Sequence, residues 1–241
     1  YPVEKGLTSM SGLLLFVADV SPYRSPSGHY TVAGVHQSLG SAARVFEEIS
    51  QLYELEFHGV TRVSDATEEL LRQANVLVLF TIGETPWTLE QRLVVEERVT
   101  SGHLRLVGMH SATDSAYDWP AYGELIGARF DGHPVTGDLS IRVVDRDHPA
   151  TAHLPNPWRW KEELYIFREM VSDARVLLGV EFGTPAAEGG VVTLPFAWCI
   201  ERGPLRTFYT VPGHFIAAYE DVTYLQHLRG GVEWVLENAP A

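Results

Sequence analysis

Short apolar runs alternate with longer stretches whose apolar residues recur every three or four positions, and this rhythm fills the first half of the chain. Residues 13–17 are continuously apolar, as in a strand buried on both faces of a parallel sheet. Residues 37–53 carry Leu39, Ala42, Ala43, Phe46 and Ile49 at helical spacing. Residues 54–58 read as a second strand and 64–73 as a helix capped by Ser64 or Asp65. Residues 76–80 form a third strand. Thr88-Leu89-Glu90-Gln91 then spells a capping box, opening a helix that runs through Val99 and stops at Gly102. A fourth strand covers 104–109. Strand–helix alternation at this spacing predicts an α/β fold with right-handed crossovers and a doubly wound, mostly parallel sheet. Ligands of such sheets sit beyond the carboxyl ends of the strands.

The second half changes rhythm. A short helix is expected over 119–126, a strand over 140–144 and a Pro- and His-rich loop over 145–160. Extra strands follow over 163–167, 175–181, 196–201 and 205–211. Arg202-Gly203-Pro204 makes a hairpin tip between the last two, and an amphipathic helix over 222–237 closes the pattern. At 241 residues this is one domain, drawn over 10–238 with 1–9 as an N-terminal extension.

Charge and cysteine content narrow the partners. A net charge of −13 excludes a phosphate-backbone ligand, so no nucleic acid is expected. The single cysteine, Cys199, fits a reduced compartment. No apolar run approaches the roughly 18 residues of a membrane span. The apolar residues 13–18 lead into Asp19 without a cleavage pattern. The expectation is a cytoplasmic protein without a membrane partner.

The candidate chemistry centres on Gly108-Met109-His110-Ser111-Ala112-Thr113-Asp114. A buried strand ending in this pattern pushes one side chain up at a sharp turn, where hydrolases carry a Ser or Cys nucleophile. Here the apex is His110. His214 follows the last strand and the turn Pro212-Gly213, and Glu163 opens an aromatic strand. Together, His110, His214 and Glu163 suit general acid–base catalysis at neutral pH. They equally suit an open-sided zinc site, although no short-range motif such as H-x-x-x-H accompanies them. Glu162 reads as a solvated acidic turn, Ser111 as displaced from the apex, and Cys199 as a core thiol. Asp114, Asp118, Trp119 and Tyr122 interleave carboxylates with aromatics, as sugar sites do, or else form a helix start capped by Asp118 with Trp119 buried. Gly83-Glu84-Thr85-Pro86 lacks nucleotide-binding spacing.

Beyond the elbow come Asp118-Trp119-Pro120-Ala121-Tyr122, Leu125-Ile126-Gly127-Ala128-Arg129-Phe130, His133-Pro134 and Asp145-Arg146-Asp147-His148-Pro149. Leu154-Pro155, Glu162-Glu163-Leu164-Tyr165-Ile166-Phe167, Pro195-Phe196-Ala197-Trp198 and Phe208-Tyr209-Thr210-Val211-Pro212-Gly213-His214 follow in order. In these elements the chain resembles the trehalose-utilisation (ThuA-like) family over about residues 13–236. Gln37 departs from the family's usual His-Asp-Ser at 36–38, and the loop 21–30 is longer and richer in Pro and Ser. The resemblance implies a flavodoxin-like fold related to class I glutamine amidotransferases, with their catalytic cysteine replaced by His110. It implies a small-molecule carbohydrate ligand, a disaccharide or keto-sugar, for which the candidate contacts are His36, Asp114, Asp118, Trp119, Tyr122, His133 and Trp198. Three functions stand open: sugar conversion through a His/Glu cleft, a non-catalytic sugar-binding partner of an oxidoreductase, and a metal-dependent hydrolase or isomerase. Trp158, Trp160 and Tyr165 suggest a self-associating surface and a homo-oligomer.

Overall fold

The computed structural model describes residues 12–19, 37–183 and 191–237, with strand residues 23–24 and 30–31. The apolar runs form the centre of the sheet. Strand β1 (Gly12–Val17) lies between β4 (Leu55–Val60) and β5 (Ala74–Leu79), and β5 pairs with β6 (Arg105–Met109), all in parallel. The short strands β2 (Tyr23–Arg24) and β3 (Tyr30–Thr31) pair separately. Helix α1 (Leu39–Leu52) buries Ala42, Phe46 and Ile49 of the positions its periodicity marks out, together with Val45, and leaves Leu39 and Ala43 half-buried.

Helix α2 (Glu68–Gln73) is shorter than the expected 64–73. The Asp19 carboxylate accepts the Val63 amide at 2.7 Å, and Val63–Asp65 closes a separate 3₁₀ turn. The cap is therefore Thr67, which accepts from Leu70 N, not Ser64 or Asp65. Helix α3 (Leu89–Thr100) starts with the Thr88/Gln91 capping box in place, and Gly102 follows it at φ 79°. Helices α4 (Pro120–Ile126) and α5 (Val222–Leu236) complete the set among the described residues.

The second-half strands continue the same sheet. Strand β11 (Leu205–Thr210) pairs in parallel with β6. Then β10 (Val191–Arg202), β9 (Arg175–Gly183), β7 (Arg129–Val143) and β8 (Trp158–Arg168) add antiparallel, giving the order β4-β1-β5-β6-β11-β10-β9-β7-β8. Strands β7 and β8 exceed the expected 140–144 and 163–167. Most of the first half of β7 faces solvent on both sides, so no buried face imposes a period of two there.

Strand β8 is the outermost in pairing order, yet its inner face returns to the sheet centre. Phe167 meets Trp198 of β10 and Tyr209 of β11 edge-on at 5.0 and 6.0 Å between ring centres. Two residues earlier, Tyr165 meets His110 at 4.9 Å. The β7–β8 ribbon thus curls across β10 and β11 until it lies over the carboxyl end of β6. This folding buries Trp158 and Tyr165 in the core and packs the half-buried Trp160 against it.

Candidate active site at the strand ends

The elbow is present. Gly108 sits where an added Cβ would lie 2.3 Å from Ile126 Cδ1 and 2.9 Å from Tyr209, so only glycine fits. Two residues on, His110 adopts φ 45°, the left-handed conformation that a side chain with a Cβ resists by about 1–2 kcal/mol. Tight packing holds it there. The Tyr209 hydroxyl donates to the His110 carbonyl at 2.5 Å, and Thr113 meets the same hydroxyl at 3.1 Å. The chain then continues as a 3₁₀ turn (His110–Thr113).

The imidazole tautomer follows from its partner. Nδ1 of His110 lies 2.9 Å from the Val211 carbonyl, which can only accept, so Nδ1 carries a proton and the ring is turned with Nε2 toward the centre. Around Nε2 stand the Tyr165 hydroxyl at 3.1 Å, His214 Nδ1 at 3.3 Å and Glu163 Oε2 at 3.4 Å. His214 Nδ1 is 3.5 Å from the same carboxylate oxygen, and His133 Nδ1 is 3.9 Å from Glu163 Oε1. Side-chain exposure rises outward: 0% for His110, 10% for Glu163, 23% for His214 and 48% for His133. The centre is walled behind and open toward His133.

Each participant is held by its own element. His214 projects from Pro212-Gly213-His214, whose backbone is pinned from all sides. Tyr224 donates to the Pro212 carbonyl at 2.7 Å, Ser38 and Tyr219 donate to the Gly213 carbonyl, and Glu162 accepts the Gly213 amide at 2.8 Å and the His214 amide at 3.3 Å. Gly213 has φ 150°, and a Cβ there would press on the Tyr219 hydroxyl at 3.0 Å. His133 lies between Gly132 and Val135, where the β7–β8 register shifts, and such an irregularity re-aims side chains.

Glu162 overturns the solvated-turn expectation. It is fully buried, accepts three backbone amides, and burial pushes its carboxyl up to about 7. Tyr165 is the other participant absent from the sequence-based set. Its signal is the period of two, which puts Glu163, Tyr165 and Phe167 on one face of β8. Burial keeps its phenol neutral, well above the ordinary range.

The remaining expected residues divide. Asp114 is buried, accepts from the Tyr117 hydroxyl at 2.5 Å, and is raised to about 6 chiefly by burial. His36 lies outside the described residues. Asp118 neither caps α4 nor joins the centre; it is paired with Arg92 at the surface at 2.5 Å. Trp119, Tyr122 and Trp198 are core residues, with polar atoms donated to Glu96, the Ala112 carbonyl and the Ile126 carbonyl respectively. No ring face of theirs is free to stack on a sugar, which corrects that expectation. Ser111 Oγ is buried without a hydrogen-bond partner, so no base activates it. Cys199 is a buried thiol raised to about 11 by burial, far from nucleophilic character.

Comparison with known proteins agrees with this architecture. A ThuA-like protein from Bacteroides uniformis matches with a TM-score of 0.71 at 19% identity, over 99% of this chain and 96% of that one. A second, from Parabacteroides merdae, matches with a TM-score of 0.67 at 16% identity, over 95% and 92%. A GMP synthase-like structure from Thermoplasma acidophilum shares the fold at a TM-score of 0.51 and 10% identity, over 93% and 94%. A comparison with curated proteins found no significant match. No helix among the described residues is long and apolar enough to cross a membrane. The family model described as trehalose utilisation matches residues 29–235, and the chain belongs to this ThuA family.

Proposed function

We propose that this chain converts a small carbohydrate, a disaccharide or keto-sugar, at the His110–Glu163–His214 centre and has no glutamine amidotransferase activity. One observation carries the reading. At the elbow, where this fold elsewhere raises a nucleophile, two imidazole nitrogens and a carboxylate oxygen meet within 3.5 Å on the open side of the strand ends. The family's description, trehalose utilisation, supports a carbohydrate substrate. Thioester chemistry has no support, since His110 occupies the apex and the Cys199 thiol is buried in β10. Proton transfer does have support. Asp114, raised to about 6, exchanges a proton near neutral pH, and His133 stands at the mouth beside Glu163.

The test is turnover of trehalose, other disaccharides and their keto-sugar forms by the purified chain and by His110→Ala and His214→Ala. Both substitutions should lower turnover by about 10²–10⁴-fold. Wild-type rates in both would remove the centre from the reaction. Binding without turnover under every condition would assign the chain to the alternative role, a sugar-binding partner of an oxidoreductase.

A further inference from the structure

We infer that His110 Nε2, His214 Nδ1 and Glu163 Oε2 bind one divalent cation of the zinc class, with a fourth position open to the mouth of the site. This deepens the function proposed above, and rests on the same centre.

The spacing is the first argument. The three ligand atoms form a nearly equilateral triangle with sides of 3.3, 3.4 and 3.5 Å. A tetrahedral ion with bonds of about 2.0–2.1 Å sets its ligand atoms about 3.3–3.4 Å apart. The observed triangle has the dimensions of one face of that tetrahedron. Direct hydrogen bonds among the three atoms would favour closer approaches, nearer about 2.8–3.0 Å.

The tautomer is the second. A ligating imidazole typically donates its other nitrogen to a carbonyl or carboxylate, which fixes the ring and directs its lone pair. His110 does this through Nδ1 and the Val211 carbonyl. The His214 turn is anchored by four residues, and Glu162 holds the amides of both Glu163 and His214. Two of the three ligands therefore hang from one buried carboxylate. Orientation by a second layer of hydrogen bonds is what separates a preformed cation site from a chance cluster.

The third argument is access. A closed set of four protein ligands marks a structural zinc, whereas three ligands with an open side mark a catalytic one. Exposure here rises from His110 to His214, and His133 stands over the open side on the other oxygen of Glu163. Two neutral imidazoles and one carboxylate give a net charge of +1 with a divalent ion. That residual charge suits a water or a sugar oxygen in the fourth position, and in that position the ion acts as a Lewis acid.

The experiment measures the metal directly, apart from any sugar. The full chain is stripped with chelator, then titrated with zinc by calorimetry and with cobalt by visible absorbance. We expect one ion per chain and the intense visible bands of a four-coordinate cobalt site. His110→Gln, Glu163→Gln and His214→Gln should each weaken binding by more than about 100-fold, beyond the usual loss from a second-layer change. His58→Gln and His103→Gln, both remote, should leave it unchanged. Circular dichroism of each variant identifies any that fails to fold, and Glu163→Gln, which keeps the side-chain shape, decides the matter should a histidine variant do so. No stoichiometric binding, or binding that persists in Glu163→Gln with the His110 and His214 variants, overturns the inference. Sugar turnover unaffected by chelator would sink the cation while sparing the proposed function. Stoichiometric metal without turnover would do the reverse.

Discussion

Among the described residues the molecule contains two histidine clusters, and both use the same first contact. His110 donates Nδ1–H to the Val211 carbonyl at 2.9 Å; His227 donates Nδ1–H to the Ala150 carbonyl at 2.7 Å. The difference lies at Nε2. In His227 that nitrogen accepts from the Thr210 hydroxyl at 2.9 Å among the rings of Phe208, Trp158 and Tyr224, and the ring is fully buried. Its neighbour His148 packs on Phe208 and Trp234 and accepts from the Ala150 amide. Burial pushes His227 down to about 3 and His148 down to about 4, so both stay neutral. In His110 the second nitrogen instead meets a carboxylate and another imidazole on the open side. A histidine's first hydrogen bond orients the ring in both roles and does not assign the role by itself; what its second nitrogen faces separates a core residue from a site residue.

Substitutions can break this contrast, and the largest effect falls on the open cluster. His110→Ala should cost about 10²–10⁴-fold in turnover while lowering stability less than His227→Ala does. Parallel activity assays and melts of the two variants check this, and equal activity losses would erase the distinction. His227→Ala should cost about 2–5 kcal/mol, through the cavity and the orphaned Ala150 and Thr210 partners. Denaturant titration measures it.

The pH dependence comes next. Because both core imidazoles have folded-state values below the ordinary 6.5, the folded state binds fewer protons than the unfolded one. Their stabilisation is complete above pH 6.5 and is lost as pH falls toward 4 and 3, by about 1.4 kcal/mol per pH unit per group. Melting temperatures from pH 7 to 4 should fall, and His227→Gln should flatten the slope. An unchanged slope would contradict the neutral-core assignment.

Asp114 carries the opposite sign. Its value is raised from 3.8 to about 6, so its contribution is full below 3.8 and is lost as pH rises through 6. Asp114→Asn should therefore melt higher relative to wild type at pH 7 than at pH 4. The smallest effect belongs to Ser111→Ala, which removes a hydroxyl without a partner. Its stability should shift by less than about 1 kcal/mol and its turnover should hold. A loss of 100-fold would restore Ser111 as the nucleophile.

Much of the fold was legible. The run that became β1 is continuously apolar over 13–17, and β5 is so from Val76, because both faces of a central parallel strand are covered. The α3 start was legible because a capping box is a local hydrogen-bond device. The first half of β7 was not, since its exposed faces impose no alternation. Of the site, His110 was visible from Gly108 and the strand before it, and His214 from the turn ahead of it. Glu162 was misread because adjacent carboxylates ordinarily seek solvent. Only the arrival of the Gly213 and His214 amides makes its burial tolerable. Trp198 was misread for the converse reason, and in sequence Trp119 stands open between a sugar contact and the buried position it takes, because an aromatic in a functional-looking segment is identical in sequence to one that fills the core.

The sequence alone determined the local events: which runs become strands, where a glycine permits a sharp turn, and which residue stands at its apex. Those follow from short-range sterics and from the match between hydrophobic period and backbone geometry. Tertiary structure decided which side chains meet. Glu163 lies on the outermost strand in pairing order, and only the curl of the β7–β8 ribbon brings it within 3.5 Å of both His110 and His214. That curl is set by the packing of Phe167 on Trp198 and Tyr209, contacts between distant strands that no local pattern encodes.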